Sequence, residues 1–141
     1  MAGFINSLEA AILDHVLNDG TYTPPANWFI ALSTTTPTET GTNFTEPSGN
    51  NYARVSTAAA DWSAASGADP STKANANAIT FPQASGSWGT VTHFGGFTAS
   101  TLGTVQWWGA LTASKTIDAN DTPSFAAADL VLKLGDPADS Y

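Results

Sequence analysis

The chain has no cysteine and a single methionine. No disulfide or cysteine-ligated metal can support it, and the redox compartment is left open. Charge is scarce as well: 11 % of residues are charged, against a usual share of roughly a quarter. Only four of them are basic and twelve are acidic, so the net charge is −8. That charge repels nucleic-acid phosphates and anionic lipid, which excludes both as expected partners. No apolar run approaches the ~20 residues needed to cross a bilayer. The opening "MAGFINSLEAAILDH" has neither a basic start nor a continuous apolar stretch, so no secretion signal is expected. Histidine occurs only twice, as His15 and His93, too few for a zinc site.

What the chain does have suits β-structure. Its polar residues are mostly Thr, Ser, Asn and Gly, which are poor helix formers and good turn or strand residues. Apolar content is 42 %, with five Trp and seven Phe, and 141 residues suffice for one packed core.

One helix is predicted, over residues 4–17. Ile5, Leu8, Ile12 and Val16 recur at spacings of three and four, with Phe4 and Leu13 at the margins. "NDG" ends it, with Gly20 as the expected left-handed cap. The stripe must pack on something, either the rest of the chain or a partner. Residues 1–20 are therefore read as a helical unit and 21–141 as the main domain.

Beyond residue 20 the period changes to two. "WFIAL" at 28–32, "NNYARVST" at 50–57, "AITF" at 78–81, "TVQWWGALT" at 104–112 and "DLVLKL" at 129–134 read as strands. "SGSWGTVTHFGGF" at 85–97 is a further strand, with a kink or bulge expected at Gly95–Gly96. Its glycines do not cradle a phosphate, because no helical pattern follows them. Residues 33–50, "STTTPTETGTNFTEPSGN", form a long connection of the kind that is usually functional or interacting. Together these patterns predict a mainly β fold: an antiparallel β-sandwich or jelly roll with one N-terminal α-helix.

Candidate chemistry is thin. His93 has many serines and Asp118 or Asp121 to choose from, but no spacing selects a triad. Asp118, Asn120 and Asp121 in "DANDT" offer hard oxygens to calcium, without the further acids of a calcium loop. Trp107 and Trp108 lie on opposite faces of a strand, so one is expected in the core and the other at an interface or under a sugar. Arg54, the only arginine, is expected in an ion pair.

Three stretches, "EPSGNNYARV", "ITFPQASGSWGTVTHFG" and "KTIDANDTPSF", resemble a group of small tailed-bacteriophage virion proteins labelled tail-fibre or minor structural proteins. The resemblance runs from Leu8 to about Leu134. It implies a non-enzymatic virion component, assembled in the bacterial host cytoplasm, with no cofactor and no catalytic residues to transfer. One short domain without shaft repeats favours a capsid decoration, or cement, protein that binds the major capsid protein or other virion proteins. The alternative is a tail-fibre or baseplate adhesin that binds a surface glycan. Decoration sites in similar particles and the aromatic surplus both suggest a homotrimer. The residues expected to meet partners are Ile5, Leu8, Ile12, Val16, Trp107 and Trp108.

Overall fold

A computed structural model describes residues 2–18, 20–67 and 70–134. The chain is mainly β with one N-terminal helix, as expected. The elements are β1 (Ala2–Phe4), α1 (Asn6–Val16), β2 (Asn27–Ser33), β3 (Val55–Ala58), a 3₁₀ turn (Ala59–Asp61), β4 (Ser71–Ala74), β5 (Ile79–Thr80), β6 (Gly89–Phe97), β7 (Trp107–Ile117), β8 (Ser124–Phe125) and β9 (Val131–Leu134).

Seven strands form one sheet in the order β3-β2-β6-β7-β1-β9-β4, and β5 pairs with β8 in a small second sheet. This is one large curled sheet rather than the two facing layers of a jelly roll. It is also mixed: β1 runs antiparallel to β7 but parallel to β9. The curl brings the sheet's edges together. Just past β3, Trp62 bridges to Asn75 just past β4, and Ser63 N–H donates to the Ala74 carbonyl at 2.8 Å.

Three short strands, β1, β4 and the two-residue β8, escaped the sequence pattern. β1 is three residues long, and "STKA" of β4 lies inside an Ala/Ser/Gly-rich stretch. β1 is nevertheless central, since it alone joins β7 to β9. α1 follows it directly and turns its first two turns inward, burying Ile5 and Leu8. The left-handed residue behind the helix is Asn18 (φ 64°), not Gly20. Asn tolerates that conformation, and Gly20 is left to donate its N–H to the Asp14 carbonyl.

The expected bulge at Gly95–Gly96 is absent, because pairing there is regular with β2 and with β7. The irregularity falls between Val91 and His93, where β7 carries the extra residues opposite Thr92. The two glycines serve close packing instead. A β-carbon on Gly96 would overlap the Trp107 indole, and one on Gly95 would press on Val105 and Phe44. The core centres on Trp107, which meets Trp28, Trp62 and Phe94 edge-on at 5.8 to 6.5 Å.

Two copies of "AAAD" build matching turns. Asp61 accepts the N–H of Ala58, and Asp129 accepts that of Ala126. Each carboxylate reaches back three residues to satisfy a free donor. Asn75 lies between them, fully buried. Its amide donates to the carbonyls of Asn77 and Ala126 and accepts Leu130 N–H at 2.8 Å.

Candidate functional site

His93 sits on β6 with its ring mostly covered. Its Nδ1 lies 2.8 Å from Thr92 Oγ1, and its ring meets the edge of Trp108. Burial pushes its pKa below the ordinary histidine value. These contacts hold a neutral ring in place; Ser33 stands opposite His93 on β2, but its hydroxyl donates to the Thr35 carbonyl and accepts the Thr45 N–H.

The "DANDT" turn uses its oxygens internally. Asp121 Oδ2 accepts Asp118 N–H at 2.9 Å, and the Asn120 carbonyl accepts from the Gln83 amide at 3.0 Å. Asn120 adopts φ 73° at the apex. Among the described residues no three His, Cys, Asp or Glu side chains converge as metal ligands.

Arg54 is in the ion pair the sequence suggested. Its guanidinium contacts both carboxylate oxygens of Glu46 and donates to the carbonyls of Ala99 and Leu102. It also lies 3.5 Å from the centre of the Phe97 ring. Tyr52 donates to the same Glu46 at 2.8 Å, and burial pushes its phenol pKa well up. The cluster anchors the end of the long connection. Before it, Thr35, Thr38, Thr42 and Asn43 bond to one another and to nearby carbonyls, while Phe44 packs edge-on against Phe97. The connection is therefore folded onto its own domain, with Thr36, Thr38, Thr40 and Thr42 exposed on its outer side.

The six residues expected to meet partners divide. Ile5, Leu8 and Trp107 are buried within the chain's own core. Their surfaces are already covered, which removes Trp107 as a sugar platform. Trp108 is half-buried and donates its indole N–H to the Thr38 carbonyl at 3.2 Å. Ile12 is half-buried beside the core, and Val16 is exposed. Among the described residues none of the exposed large apolar side chains is aromatic. Of the five Trp and seven Phe, Phe81, Trp88, Phe94, Phe97 and Trp107 are buried, and the others pack against the core with part of their surface exposed.

The concave regions of the described residues include one of about 620 Å³ lined by Phe94, Leu111, Phe125, Asp129 and Lys133, and two that bear on the candidate residues. The first of these two, of about 320 Å³, lies under α1 and is lined by Leu8, Ile12, Trp28, Trp62, Trp107 and Lys73. The other, of about 470 Å³, runs beside the irregular half of β7. Phe81, Leu111 and Phe125 line it together with Lys115, Asp121, Thr122 and Ser124. Sequence reasoning missed both, because they arise from the curl of the sheet and from the β7 irregularity.

A family model described as Podophage GP4 fiber I protein gp80 matches residues 3–133. The chain belongs to this phage fibre family. The match runs from β1 into β9, so helix and sheet together are the family's unit. Membership makes it a bacteriophage structural protein of the virion. No curated protein matches the chain.

Proposed function

We propose that this chain is a non-enzymatic structural module of the phage fibre. The family match over nearly the whole chain carries the reading. It is supported by what the candidate catalytic groups do: His93, Asp121 and Arg54 are each engaged in framework contacts. Decoration of the shell through the major capsid protein is the competing location. The single compact domain without repeated shaft segments favours it, whereas the family's fibre description favours the tail. Gold labelling of intact particles with an antibody to this chain separates the two. Label at the fibres with a few copies per particle supports the proposal; label over the whole head with hundreds of copies overturns it.

An adhesin role belongs to the same fibre reading. Its contact point is the cleft beside β7, where the rings of Phe81 and Phe125 and the hydroxyl, carboxylate and ammonium groups of its lining suit a saccharide. Binding of host-surface glycan fragments, lost in Asp121→Ala, is the expected result.

A further inference from the structure

We infer that the outer end of α1 from one copy of this chain seats in the tryptophan-lined cavity of a second copy. The chain carries both halves of such a contact. Leu13, Val16 and Leu17 are 60 %, 69 % and 77 % exposed and lie together over the last turns of α1. Among the described residues only Leu102 and Leu134 are comparably exposed large apolar side chains. A clustered apolar patch on an otherwise polar surface marks an interaction site.

The projecting end is held firm. Leu17 N–H donates to the Leu13 carbonyl at 2.9 Å, and Tyr22 N–H donates to His15 Nδ1 at 3.3 Å. Little further ordering is needed on contact. The receiving cavity opens between α1 and the sheet, with Trp28, Trp62 and Leu132 among its apolar walls.

Charge selects a copy of the chain as the occupant. The helix end is acidic: it carries the exposed Asp14 and the negative end of the helix dipole. The cavity rim carries Lys73, whose Nζ is fixed on the Ser63 carbonyl at 2.8 Å. In a chain with net charge −8 and four basic residues, a lysine at the mouth of an apolar cavity is where an acidic helix end is accepted. Projection and cavity are different surfaces, so the contact is heterologous and builds a ring or a stack, not a two-fold dimer. The inference does not depend on whether the chain sits on fibre or shell.

Sedimentation velocity of the full chain, from micromolar to submillimolar concentration, tests it. The wild type is expected to associate as concentration rises. Leu17→Asp should remain monomeric with an unchanged melting temperature, since Leu17 supports nothing in its own chain. Asp14→Lys and Lys73→Glu should each weaken association by about tenfold or more, and the two together should restore it. A wild type that stays monomeric throughout overturns the inference, as does assembly indifferent to Leu17→Asp. A charge swap that fails to restore assembly, or α1 capturing a different virion protein while the chain stays monomeric, overturns it too.

Discussion

The Trp107 indole occupies the space where a β-carbon on Gly96 would stand. The two residues are direct partners across β6 and β7, so the largest side chain of the core rests on the one residue type with no side chain. Gly96→Ala should therefore destabilise by overpacking, by about 1–3 kcal/mol, as measured by urea denaturation. The same substitution in a Trp107→Leu background should cost clearly less, because the clash is with the ring. Equal costs in both backgrounds would show that backbone conformation, and not the ring, demands glycine.

Asn75 closes the curl. Asn75→Ala would take the Asn75 side chain from the Asn77 carbonyl and from the buried Leu130 N–H, while the Ala126 carbonyl keeps the Asp129 N–H. Each orphaned group costs about 1–3 kcal/mol, so a total of at least about 2 kcal/mol is expected in chemical denaturation. Hydrogen exchange should locate the damage, with the Leu130 amide losing protection well beyond the average. Protection lost evenly across the sheet would place the effect elsewhere.

Arg54→Met should cost about 2–4 kcal/mol, because it leaves Glu46 with only the Tyr52 hydroxyl and takes the donor from the part-buried Ala99 carbonyl. Arg54→Lys should recover only part of this. An ammonium cannot contact both Glu46 oxygens while reaching Ala99 and Leu102. Full recovery by lysine, in thermal melts of the two variants, would reduce the cluster to simple charge pairing.

The sequence made local periodicity visible and left closure hidden. The helical stripe at Ile5, Leu8 and Ile12, the strands around Ile30 and Val91, and the opposed facing of Trp107 and Trp108 follow from spacing alone. β1 could not be seen, because three residues carry no period. Its central position depends on β7 and β9, more than a hundred residues away. The Arg54 ion pair was expected, but Glu46 was not identifiable as its partner inside a loop with no regular pattern. The aromatic count is a property of composition and does not tell which rings the fold encloses: Trp88 and Trp107 are buried, whereas Trp28, Trp62 and Trp108 keep part of their surface exposed. The exposed leucines of α1 were read only as the margin and end of an inward stripe.

Acid should weaken the fold through two groups. Burial holds His93 below its ordinary pKa of 6.5, and hydrogen bonds from Ala58 and Asn77 hold the Asp61 carboxyl below its ordinary value. In both cases the unfolded chain takes up its proton first as pH falls. The stabilisation is complete above the unfolded pKa and is lost on acidification. Melting temperature should fall between about pH 7 and 5 through His93 and further below about pH 4 through Asp61. His93→Gln should flatten the first slope and Asp61→Asn the second. An unchanged slope in either variant would assign that step to other groups.

The N-terminal segment should prove inseparable from the domain. A helix that merely anchors a finished sheet can be cut away, and the remaining strands still fold. Here the chain enters the sheet before it enters the helix. β1 pairs with β7 on one side and β9 on the other, and Ile5 N–H continues the contact to the Gln106 carbonyl at 3.0 Å. Removing residues 1–20 would take a strand from the middle of the sheet and uncover the apolar cavity beside Trp107. The truncated chain should show no cooperative melt and should bind a dye specific for exposed apolar surface. Point substitutions divide the helix in the same way. Leu8→Asp places a carboxylate where the side chain is 3 % exposed, so the loss should reach or exceed the about 2–5 kcal/mol of a buried leucine truncation. Val16→Asp, on the exposed end, should stay within about 0.5 kcal/mol of wild type. A truncated chain with a native circular-dichroism spectrum and a sharp melt would show that β1 only fills a gap that β7 and β9 close without it.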